Sequence, residues 1–158
     1  MNNNNNSIEN ICDLLSHSLL GIRNYAPKNE SEYYDVLNEN IGHIKSHLNL
    51  LKSGIYDNIT TSTDNGIVLF VDILEICVNN MSKHLKTKQW ELIREEADCN
   101  HNVPSIVASQ NIDLIKFYFK VEHKCCIKNL PVSALKLYSP IWEKIRENYN
   151  ITDSPTIS

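Results

Sequence analysis

Ile67-Val68-Leu69-Phe70-Val71-Asp72-Ile73-Leu74-Glu75-Ile76-Cys77-Val78 is the stretch on which the fold of this 158-residue chain turns. Only Asp72 and Glu75 interrupt its apolar side chains, so a helix through it is apolar on nearly every side. Such a helix belongs at the centre of a domain or inside a membrane. Asp72 and Glu75 leave no run of the ~18 apolar residues that a spanning helix needs, so the stretch reads as a buried central helix. Thr63, Asp64 or Asn65 is placed to cap it, with the helix starting near Gly66. Neither Gly nor Pro occurs from Ile67 to Val103. The helix therefore either runs on through Met81, Leu85, Trp90, Ile93 and Ala97 or breaks near Lys86 and Thr87, and periodicity leaves both open.

On the N-terminal side lie two amphipathic patterns. Ile8, Ile11, Cys12, Leu15, Leu19 and Ile22 recur at steps of three and four, with Leu14 and Leu20 widening the face. Ser7 is positioned to cap this helix, and Tyr25-Ala26-Pro27 ends it, because a residue before proline avoids the helical region. The second pattern is the more regular. Tyr34, Leu37, Ile41, Ile44, Leu48, Leu51 and Ile55 alternate steps of three and four, which is an a/d heptad seam. Ser31 sits where a cap is expected and Gly54 where a helix stops. A seam of this kind either packs on its own chain or forms a coiled coil with a second one. Few complementary charges flank it, which favours the first.

On the C-terminal side, Pro104 suits a first helical turn. Residues 105–121 carry helical spacing at Ile106, Val107, Ile112, Ile115 and Phe119, yet 115–122 also alternate like a strand. The helical surroundings favour helix. A last helix is expected over 131–149, with Leu135, Tyr138, Ile141, Trp142 and Ile145 apolar and Pro140 kinking or interrupting it. Residues 1–6 read as a disordered Asn-rich leader, 7–149 as one helical domain and 150–158 as a flexible tail. The expected fold is all-α, a single compact bundle of five or six helices around the central apolar helix. No internal repeat is present.

The formal charge of −4 provides no basic field to gather nucleic acid. Four isolated glycines cannot build a phosphate-cradling loop. The N-terminus lacks the basic and apolar regions of a secretory signal, and five cysteines is an odd number; both point to reduced thiols and a cytoplasmic setting. His43 and His47 stand four residues apart, a spacing that lets two imidazoles share a metal, but no Glu accompanies them as in a metalloprotease helix. Cys99, His101, His123, Cys125 and Cys126 are the densest set of soft ligands. A Cys2His2 zinc site across them is chemically possible, although the spacing is not that of a finger. His123 beside Cys125 offers a base near a thiol, which is weak evidence for a nucleophile. Glu95 and Glu96 lie in a charged stretch from Arg94 to Asp98 that reads as a solvated helix face.

No convergent catalytic set, metal site or cofactor motif emerges. The sequence points to a non-catalytic helical interaction or scaffold module, or a subunit of an assembly, whose partner is another protein or a second copy. The candidate partner surfaces are the seam of Tyr34, Leu37, Ile41, Ile44, Leu48 and Leu51, and the stripe that carries Trp142. The alternative is a zinc-stabilised or thiol-dependent module built on the Cys99 to Cys126 region.

Overall fold

The computed structural model describes residues 8–26, 28–58, 65–109, 111–120 and 128–151. The expected caps Ser7, Thr63 and Asp64 lie outside these residues, as do the Asn-rich leader and residues 152–158. The described elements are helices: α1 (Ile8–Asn24), α2 (Glu30–Asn58), α3 (Asn65–Lys86), α4 (Trp90–Asn100), α5 (Val103–Ser109), α6 (Ile112–Lys120) and α7 (Val132–Asn148). The fold is an all-α bundle, and among the described residues there is no strand.

The quoted stretch forms most of α3, which packs against α2, α4, α5 and α7. Phe70, Ile73, Leu74, Cys77 and Met81 are buried along it, while α1 closes the other side of α2, α4 and α5. At ~25 cal/mol per Å² of apolar surface removed from water, a helix enclosed by four others supplies a large share of the hydrophobic driving force. Asp72 and Glu75 are only partly buried, and Glu75 meets Lys52 of α2 at 2.9 Å.

Of the two readings for the end of α3, the break is the correct one. The helix stops at Lys86, and Lys88 turns the chain with φ 57°, in the left-handed region that costs a non-glycine residue ~1 kcal/mol. The Thr87 hydroxyl donates to the carbonyl of His84, and the Tyr34 hydroxyl reaches over from α2 to donate to the Lys88 carbonyl.

Several local expectations are corrected. Asn29, not Ser31, caps α2, since its Oδ1 accepts from the Glu32 amide at 2.7 Å. Gly54 does not stop that helix, which runs on to Asn58; with packing on both sides, one glycine at about 1 kcal/mol is tolerated. Residues 105–121 are not one element. Helix α5 ends at Ser109, and Asn111 opens α6 by accepting from the amides of Asp113 and Leu114 at 2.9 and 3.2 Å. Helix rather than strand is the outcome for 115–120; the remaining residues of that stretch lie outside those described. Helix α7 passes through Pro140 without interruption. Proline there is exposed, so the carbonyl left without an amide partner can be met by water. Leu14 faces solvent rather than widening the buried face of α1, and Ile151, expected in the tail, is buried with its amide bonded to the Arg146 carbonyl at 2.9 Å.

Candidate functional site

Heptad positions place the seam of α2 on one stripe, and the bundle closes over it. Leu37, Ile41, Ile44, Leu48 and Leu51 are all buried in this chain's own core. Tyr34 is half-buried at the edge, and its neighbour Tyr33 takes the interior position. Trp142 is also inside, with its ring 6.0 Å from Phe70, 6.0 Å from Tyr118 and 5.2 Å from Phe119. Of the side chains expected to meet a partner, all but Tyr34 thus lie inside the bundle that carries them.

The soft-ligand set divides. His123, Cys125 and Cys126 lie outside the described residues. Cys99 is buried on α4 in no disulfide, and His101 Nε2 accepts a hydrogen bond from Arg23 Nη1 at 3.1 Å. Among the described residues no group of three or more His, Cys, Asp or Glu is placed to hold a metal ion. His43 is exposed; burial, with a smaller contribution from His43, lowers the pKa of His47. Burial pushes the Cys12 thiol up to about 12, and the Cys77 thiol well above its usual range. Both therefore remain protonated and unreactive near neutral pH.

The main polar feature of the interior lies in the stretch whose charges point to a solvated face. Glu96 is 0% exposed, on the inner face of α4 between Ile93 and Asn100. Tyr138 of α7 donates to its Oε1 at 2.6 Å, and Asn80 of α3 donates to its Oε2 at 3.0 Å. Asn100 Nδ2 donates to the Glu96 carbonyl at 2.8 Å and to the Tyr138 hydroxyl at 3.3 Å, and the Cys77 thiol lies 3.7 Å from the same carbonyl. Burial raises the Glu96 carboxyl to about 7, opposed by the bonds from Tyr138 and Asn80 and reinforced by Glu95. The cluster can hold or release one proton, but its members are closed to solvent and no substrate reaches them as they stand. Its evident work is to pin α3, α4 and α7 to one another, since each donor fits only one register. A signal for it did exist. Ile93, Glu96, Ala97 and Asn100 continue one helical stripe, so a polar residue on that stripe had to be buried or to end the stripe.

The surface carries its own departure from the expected pattern. Among the described residues, five of the seven large apolar side chains left exposed lie on α6 and α7: Ile112, Leu114, Phe117, Val132 and Leu137. Helix α6 has only nine residues, and it buries Ile115, Tyr118 and Phe119 while presenting Leu114 and Phe117 outward, Phe117 at 56% exposure. A helix on the surface of a monomer ordinarily has a polar outer face. Exposed Lys120 and Lys136 and half-buried Lys116 accompany these apolar groups, against Asp113.

Among the described residues no helix is long and apolar enough to cross a membrane. Comparison with protein-family models, with curated proteins and with solved structures gives no match.

Proposed function

We propose that this chain is a non-catalytic helical interaction module, a scaffold domain or assembly subunit that receives a protein partner on the exposed apolar side chains of α6 and α7. One observation carries the reading: the exposed apolar side chains gather on these two helices, with Phe117 and Val132 at 56% and 68% exposure. Aromatic anchors in such rows account for much of the energy of protein interfaces, and concentrated apolar surface on a small domain marks an interaction site. Lys116 and Lys120 on α6 and Lys136 on α7, on a chain of net charge −4, favour a partner with an acidic rim. The buried thiols Cys12 and Cys77 fit a reducing, cytoplasmic setting.

The test is a photoreactive amino acid placed at Phe117 in the native cell, with the same group at Leu14 as the control. A discrete protein adduct from the first position only, lost when Leu114→Asp is added, is the expected result. Diffuse labelling from both positions contradicts the reading. An adduct of twice the chain's mass identifies the partner as a second copy.

A further inference from the structure

A cleft of about 340 Å³ opens where the turn into α2 meets the first turns of α4. Lys28, Asn29, Glu30 and Tyr33 line one wall, and Trp90 and Arg94 line the other. The wall is aromatic at its base: the Tyr33 ring lies 5.6 Å from Trp90, 5.7 Å from Tyr34 and 5.4 Å from Tyr25. It is also pre-formed. The left-handed Lys88, held through its carbonyl by the Tyr34 hydroxyl, sets the direction in which α4 leaves the turn. Strained backbone of this kind persists where the surroundings impose it, and it clusters at binding sites.

Three features give the cleft a chemical preference. Arg94 lies over the Trp90 ring at 5.5 Å, and it makes no ion pair among the described residues. Tyr33 is only 2% exposed, yet its hydroxyl finds no hydrogen-bond partner among those residues. Burial raises the Tyr33 phenol while the Arg94 charge draws it back. Finally, Trp90 is the first residue of α4, and Gln89 before it supplies no side-chain cap, which leaves the positive end of that helix toward the cleft. Lys28 adds a second cation. Among the described residues Glu30 is the only carboxylate on the wall, and it stands at the start of α2, where it offsets that helix's own positive end.

We propose that this cleft binds a planar organic anion, a carboxylate or phosphate on a flat apolar body, with Arg94 and Lys28 meeting the acid group and the Trp90 ring, above Tyr33, meeting the body. The volume lies at the small end of the ~300–1,000 Å³ typical of ligand pockets and suits one ring with its acid group. The same group can arrive as a free small molecule or as an acid-bearing aromatic side chain of a peptide. The site uses none of the α6 residues, so it stands or falls apart from the partner surface proposed above.

The chain has two tryptophans, and Trp142 in the core serves as an internal reference. Indole ¹H–¹⁵N resonances are followed while phenyl phosphate, benzoate, phenol or inorganic phosphate is added to the full chain. The expected result is a saturable movement of the Trp90 signal with phenyl phosphate or benzoate, weaker with inorganic phosphate, negligible with phenol, and none at Trp142. Arg94→Gln weakens phenyl phosphate binding by about tenfold or more, as loss of a charged donor does. A five-residue peptide carrying phosphotyrosine separates the sources: tighter binding than phenyl phosphate assigns the anion to a peptide, and equal or weaker binding assigns it to a free molecule. No saturable movement by about 10 mM ligand, phenol matching phenyl phosphate, or Arg94→Gln binding like the parent chain would each overturn the proposal.

Discussion

Glu96 brings a carboxyl to the interior, and burial holds its proton up to about pH 7 against a usual value of 4.5. The folded chain thus binds this proton more tightly than the unfolded chain does. Its contribution to stability is fully present below about pH 4.5 and is lost as pH rises through about 7. At ~1.4 kcal/mol per pH unit, the gap corresponds to about 3 kcal/mol. The measurement is the denaturant midpoint at pH 5 and pH 8 for the parent chain and for Glu96→Gln. Gln keeps the volume and has no proton to lose, so the parent should weaken toward pH 8 relative to the variant. His47 and His84 have pKa values lowered by burial and act in the opposite sense, destabilising toward acid; they are common to both proteins and cancel in the difference. A difference that does not change with pH would show that Glu96 is ionised throughout. This residue was hard to see in the sequence for a physical reason. In the pair Glu95-Glu96 the two carboxyls look alike, and only the helical phase set by Ile93 and Asn100 separates the buried one from its half-buried neighbour.

At the scale of the element, spacing was the dependable guide and termini were not. Steps of three and four placed α1 and α2, because a stripe of apolar groups must be buried whatever covers it. Caps failed where two competent residues stand close together. Asn29 and Ser31 both carry an acceptor oxygen, and only the observed bond from the Glu32 amide decides between them. Asn29→Ala should therefore cost about 1 kcal/mol, while Ser31→Ala, inside the first turn, should leave stability unchanged or slightly higher. Thermal unfolding of the two variants checks this, and the reverse order would restore Ser31 as the cap. Helix α6 went unrecognised as a separate element for a similar reason. The break at Ser109 and Asn111 has neither Gly nor Pro, and Asn111 announces itself only through the amides it accepts from. The outer face of α6 is the part of the account most exposed to test by substitution. Phe117→Asp puts a charge where the ring is 56% exposed, so it should leave the unfolding temperature within a few degrees of the parent and remove the proposed partner adduct. A variant that unfolds would show that Phe117 belongs to the core.

For the whole molecule, composition and the one all-apolar stretch were enough to place α3 at the centre. What they could not tell is whose core the seam of α2 closes. A heptad stripe looks the same from its own bundle and from a coiled-coil partner, since both remove the same side chains from water. The structure places Leu48 and its neighbours against this chain's own interior, beside α3 and α1. The candidate sites were less legible still. The Tyr33, Trp90 and Arg94 cleft is drawn from segments more than fifty residues apart, and Phe117 reads in sequence like any aromatic of an amphipathic helix. One substitution addresses the arrangement most directly: Leu48→Asp, followed by circular dichroism and sedimentation together. An unpaired charge in the closed bundle costs several kcal/mol, so the variant should lose its cooperative unfolding transition while the parent's association state has no bearing on the loss. A Leu48→Asp chain that stays folded with the parent's stability, and merely dissociates from a larger species, would contradict a bundle closed by one chain around α3.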